Sequence, residues 1–268
     1  NPVRRTDVEV YEDILKGAVL AEELGFDSVW VAEHAFSEHS IVSSPHSMLA
    51  AIAAKTERVN IGVACTIVPW HSPLRMAQDL ATLDIISKGR LIVGAGRGYQ
   101  KREFDIYGLD ITESRERLVE GMDIAIRAWT EERFSYDGQF NSFPEVMVLP
   151  KPVQSPHPPI WMAANSDAAI RRAGRLGYAW LINPHTTISV VERQLAMYQD
   201  VLREEGAAAP GDLPMMREVY LDTDRRRAYA QARPYLESKY QAYAAWGQDK
   251  VLPGEESFNV PFEELARD

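Results

Sequence analysis

Apolar residues recur along this chain in two alternating rhythms. Residues 8–24 carry them at helical spacing and stop at Gly25, a natural helix terminator. The run DSVWVAEH at 27–34 is short and apolar, as a buried parallel strand requires. Ser44-Pro45 then opens a helix to about Thr56, with serine as cap and proline in the first turn. Residues 59–68 read as the next strand. Ser72-Pro73 repeats the cap-and-proline device for a helix closed by Lys88-Gly89, and residues 90–96 read as a third strand. A polar loop leads to a helix over 113–132.

Residues 134–149 break the rhythm. Asp137-Gly138 lies between short β-prone pieces, which predicts a small hairpin excursion, followed by a proline-rich extended connection to 158. Strands are predicted again over 159–164, 178–183 and 215–221, with helices over 166–176 and 187–205. A last long helix spans 224–246, kinked at Pro234, and residues 248–268 form an irregular tail. Six parallel-type strands, each followed by a helix, mean either a (β/α)8 TIM barrel or an open doubly wound sheet. Six is short of eight, and the chain begins and ends on helices. One strand is therefore expected to be missing at each end, with the intact protein extending beyond both. No internal repeat or composition shift divides residues 1–268, so a single domain is expected.

Composition narrows the partners. At 268 residues the chain can bury a full core. A formal charge of -10 and a pI near 5.2 argue against nucleic acid or an anionic membrane surface. Cys65 is the single cysteine, which excludes an internal disulfide and fits a reducing, cytoplasmic setting. No run of about 18 apolar residues predicts a membrane-spanning helix.

Candidate chemistry collects where strands end. In parallel α/β proteins the carboxyl ends of the strands form the working face. Glu33-His34 closes the first strand, and an imidazole there either serves a reacting oxygen or is a hydrogen-bonded structural histidine. His34, His39 and His46 lack a recognised ligand spacing, so no metal is expected. Gly96-Arg97-Gly98 offers close backbone approach and a guanidinium suited to phosphate. Gly94, Gly96 and Gly98 alternate, with Lys101 three further on, so the dinucleotide pattern G-x-G-x-x-G is not met. Asn165-Ser166-Asp167 ends one strand and starts a helix. That is either a second anion site or a plain N-cap by Ser166. Cys65 reads as a small buried hydrophobe with no charged sequence neighbour to activate it.

The segments AEELGFDSVWVAEH, NIGVACTIVPWHSPLRMAQDLATLD, SKGRLIVGAGRGYQKREFDIYG and KPVQSPHPPIWMAANS occur in order between residues 21 and 166. With them the chain resembles the bacterial luciferase-like family of flavin-dependent monooxygenases. The resemblance implies a (β/α)8 barrel with an excursion hairpin and FMN bound at the strand carboxyl ends. It implies that His34 lies near the oxygen-reactive ring carbon of the flavin, and that Ala64-Cys65 are joined by a non-proline cis peptide beneath the ring. Arg97 and Arg115 match the family's phosphate-binding arginines, Asn165-Ser166 its phosphate-holding helix start, and Asn183 a ring contact. The chain departs from the luciferases at three places. Gly96 stands where they carry a reactive cysteine, His34-Ala35 where they carry two histidines, and Ala169 where they carry a phosphate-contacting threonine. These departures bear on light emission and a long-chain aldehyde substrate rather than on flavin binding.

The activity so implied is oxygenation of a small organic substrate by reduced FMN and O2, with a separate flavin reductase as partner and a homodimer or heterodimer as the assembly. The alternatives are a deazaflavin-dependent oxidoreductase of the same fold, a non-catalytic flavin-binding relative, and a barrel enzyme acting on a phosphorylated metabolite.

Overall fold

The computed structural model describes residues 5–36, 42–247 and 260–265. The chain packs as two compact units, Asn1–Gly98 with Arg102–Ile160, and Tyr99–Lys101 with Trp161–Asp268. His39 and most of the tail after Gly247 lie outside the described residues.

In the first unit, α1 (Asp7–Glu23) starts with a capping box. The Thr6 side chain accepts from Glu9 N–H, and Glu9 reaches back to Thr6 N–H at 2.7 Å. It closes at Gly25, whose φ of 88° suits glycine. Strand β1 (Ser28–Val31) pairs in parallel with β2 (Asn60–Val63), and β2 with β4 (Leu91–Gly96), while β3 (Thr66–Ile67) pairs with the far end of β4. Helix α2 (Pro45–Lys55) and helix α3 (Pro73–Ile86) begin where predicted, each with proline in its first turn. Neither Ser44 nor Ser72 makes a capping hydrogen bond, however; the Ser44 hydroxyl meets Ser47 instead.

Two other expectations need correction here. The strand expected over 59–68 is two strands, because Ala64-Cys65 interrupts the ladder and a 3-10 turn, Val68–Trp70, follows β3. The polar loop after β4 contains a helix, α4 (Lys101–Tyr107), held in place by Phe104, which is fully buried. Helix α5 (Ser114–Thr130) lies against α3, where the Trp129 indole donates to Ala77 O at 2.9 Å. The hairpin is present as β5 (Phe134–Asp137) and β6 (Ser142–Val146), antiparallel. Buried Glu120 of α5 holds its turn by accepting from Gln139 N–H, Phe140 N–H and the Asn141 amide. The segment after the hairpin is fastened by Asp84, which is fully buried and accepts from Val153 N–H at 2.7 Å and Gln154 N–H at 2.9 Å.

In the second unit, β7 (Ile160–Ala163) pairs in parallel with β8 (Ala179–Leu181), with α6 (Asp167–Arg175) between them and α7 (Ile188–Glu204) after. The strand expected over 215–221 is reduced to one parallel bridge, Ile182 to Met215. Val219 and Leu221 beyond it are 75% and 86% exposed, so their apolar side chains find no core to join. Helix α8 (Arg225–Ala245) contains Pro234, and the four-residue helix α9 (Phe262–Leu265) follows. No helix of the described residues is long and apolar enough to cross a membrane.

Candidate active site

The first unit gathers its ionisable groups where β1, β3 and β4 end. Glu33 is 6% exposed, yet it is fully engaged. Its carboxylate accepts Ile67 N–H at 2.6 Å and His71 Nε2 at 3.0 Å, which ties the end of β1 to the chain beyond Ala64-Cys65. The Ala64-Cys65 peptide is cis, as the resemblance implied. Burial first, and Glu33 second, push the Cys65 thiol up to about 12, so it is no nucleophile at neutral pH.

His34 follows Glu33 and meets a different partner. Its Nδ1 lies 3.9 Å from Oε1 of Glu103, a buried residue of α4 that also accepts Ala35 N–H at 3.1 Å. Glu103 was missed because α4 was read as loop; the run EFDIYG, with its terminal Gly108, carried the signal. His46 meets Thr66 Oγ1 at 3.2 Å, and burial followed by the nearby His71 lowers its pKa. It is thereby a neutral hydrogen-bonding residue.

Arg97 leaves β4 between two close approaches. A Cβ on Gly96 would stand 2.8 Å from Cys65 Sγ, and Gly98 has a φ of 75° with Phe104 and Ile67 against it. The Arg97 side chain is exposed and donates to Ser114 Oγ at 3.3 Å. Among the described residues no carboxylate forms an ion pair with it. Burial by surrounding protein, then the charge of Arg115, lower its pKa. Arg115 is itself exposed, with Glu116 at 3.7 Å. Two like charges are therefore held near the first turn of α5, a 17-residue helix whose N-cap residue, Glu113, makes no side-chain cap. Such a cluster lowers its energy by binding an anion. Ser114, fully buried at that helix start, is a further residue the sequence reading missed.

In the second unit the candidate residues Asn165, Ser166 and Asn183 are neutral. Ser166 caps α6 by accepting Ala169 N–H at 3.4 Å, which is the plain N-cap reading. Asn165 and Asn183 are brought together, Asn183 Nδ2 donating to Asn165 Oδ1. Asn183 Oδ1 accepts His185 N–H at 2.9 Å, and Gln194 donates to Asn165 O at 3.0 Å. Arg217 anchors this loop by donating to Asn183 O and Thr186 O, both at 3.1 Å. Burial, then Lys239, drive His185 down to about 4.

A family model described as luciferase-like monooxygenase matches residues 2–259, so the chain belongs to the luciferase-like monooxygenase family. Its fold is the (β/α)8 barrel type of that family. The crystal structure of monooxygenase RslO1 from Streptomyces bottropensis superposes with a TM-score of 0.85 at 34% identity, over 91% of this chain and 76% of that one. The oxygenase component of a flavin-dependent trigonelline monooxygenase from Acinetobacter baylyi is 26% identical over 246 residues, 91% of this chain and 68% of that protein. An uncharacterized protein of Sinorhizobium fredii is 33% identical over 174 residues. The chain spans 50% of that relative's length, and the match takes in 65% of the chain.

Proposed function

We propose that this protein is the oxygenase component of a flavin-dependent monooxygenase that uses reduced FMN and O2 to oxygenate a small organic substrate, its reduced flavin supplied by a separate reductase. The observation that carries the reading is the pair Arg97 and Arg115 at the start of α5, two cations with no carboxylate ion-paired to Arg97 among the described residues. A phosphate monoester fits that donor set: the Arg97 and Arg115 guanidiniums and the Ser114 hydroxyl. Arg97, Arg115 and Ser114 would hold the phosphate. Ala64 and Cys65, with glycine at 96 leaving room, would support the ring system. On the second unit, Asn165, Ser166 and Asn183 are the expected cofactor contacts. When bound, FMN supplies the reaction with O2 and the transfer of one oxygen atom.

The chain's own residues orient and protect. His34, with Nδ1 turned to buried Glu103, is the group that would hold or move a proton at the reacting oxygen through Nε2. Cys65 stays a neutral thiol and adds no competing nucleophile. The test is to mix anaerobically reduced FMN and protein with aerated buffer. A protein-dependent delay in the return of the oxidised flavin spectrum is expected. Immediate return, with or without protein, would contradict the reading and favour the deazaflavin or binding-only alternatives.

A further inference from the structure

We propose that the first unit carries a separate binding site for a small phenolic acid, in the cavity beside the start of α3. The cavity has a volume of about 270 Å³, room for one substituted aromatic ring. Trp70 and Tyr107 form an aromatic wall, their ring centroids 5.2 Å apart and tilted by 35°, and Leu109 adds an apolar face. Ring-on-ring contact with this wall favours a flat ligand.

Polar groups with unused capacity select the substituents. His71 gives Nε2 to the buried Glu33 carboxylate at 3.0 Å, and its Nδ1 has no hydrogen-bond partner among the described residues. A histidine fixed by a carboxylate on one nitrogen presents the other as an acceptor. A ligand hydroxyl would donate to it. Arg117, also on the cavity wall, uses Nε and Nη2 on Glu113 at 3.0 and 2.8 Å and lies 4.1 Å over the Phe140 ring. That double hold fixes the guanidinium while Nη1 keeps no partner among the described residues, ready for a carboxylate. The uncapped start of α3 at Ser72 and Pro73 lines the same cavity and adds a positive end to the field a carboxylate meets.

The described residues that line the cavity all belong to the first unit, and its His71–Glu33 pair takes no part in the flavin assignment. Calorimetric titration of the full chain with 4-hydroxybenzoate, benzoate and phenol tests the site without flavin. Saturable one-to-one binding of 4-hydroxybenzoate is expected, with benzoate and phenol each weaker by at least about tenfold, since each leaves one polar group of the site unmatched. His71→Leu should erase the preference over benzoate, and Arg117→Met the preference over phenol. Absence of saturable binding, or benzoate and phenol binding as tightly as 4-hydroxybenzoate, would overturn the proposal. Should the His71 variant fail to fold because Glu33 loses its partner, the three-ligand comparison on the unaltered chain and the Arg117 variant still decide it.

Discussion

The two ends of β4 carry the same residue type to opposite purposes. At the amino end, Arg90 makes five hydrogen bonds, to Ser87 O, Thr56 Oγ1, Val59 O, Ala53 O and Thr56 O. Seven residues later, at the carboxyl end, the Arg97 side chain makes one among the described residues, at 3.3 Å, and sits beside another arginine. The first guanidinium is saturated by four backbone carbonyls and the Thr56 hydroxyl, and joins the end of α2 to the strand it precedes. The second is left with donors to spare; burial lowers its pKa, and the charge of Arg115 beside it adds to that effect. In barrels of this kind the amino-end face serves stability and the carboxyl-end face serves chemistry. The unequal hydrogen bonding of the two arginines that flank this strand follows the same division.

Substitutions at the two ends should therefore separate activity from stability. The largest effect is expected at the carboxyl end. His34→Ala should lower turnover by about 10²- to 10⁴-fold, with FMN affinity retained, read from steady-state oxygenation against a flavin titration. Arg90→Ala at the amino end should cost about 3 kcal/mol in urea unfolding, as several carbonyls lose a charged donor together, while activity per folded molecule holds. Loss of activity without loss of stability in the Arg90 variant would break the contrast.

Gly96→Ala tests the crowding between β4 and Cys65. A methyl 2.8 Å from Sγ should destabilise by roughly 1–3 kcal/mol and weaken flavin binding as well. The smallest effect concerns acid. Glu22 accepts the N–H groups of Glu57, Val59 and Arg58 at the start of β2, and those bonds hold its carboxyl at about 2. A depressed folded-state value means stability that is present above the ordinary carboxylate range near 4.5 and is lost as pH falls towards 2. Glu22→Gln should lower the melting temperature at neutral pH, where the carboxylate's contribution is fully present, and flatten the acid limb of a thermal-melt profile over that window. An unaltered acid limb would refute it.

Much of the fold was legible because its signals are local. The apolar period and Gly25 define α1, the Pro45 and Pro73 positions open α2 and α3, and Asp137-Gly138 marks the hairpin. Errors arose where local pattern and burial part company. Residues 215–221 look like a strand, but Val219 and Leu221 stay in solvent. Residues 101–107 look like a loop, yet one buried ring, Phe104, anchors a helix there. Of the candidate site, the cis peptide was legible through the family likeness. The supports of the site were not. Glu103 lies 68 positions from Ala35, and His71 lies 38 from Glu33, separations at which no sequence period records a contact.

The central claim is that Arg97 is reserved for a phosphate. Titration of the protein with reduced FMN and with reduced riboflavin, which lacks the phosphate, tests it most directly. The account predicts that FMN binds about 100-fold tighter than riboflavin, that the gap collapses in Arg97→Ala, and that it persists in Arg90→Ala. Equal affinity for the two flavins, or a gap that survives Arg97→Ala, would contradict it.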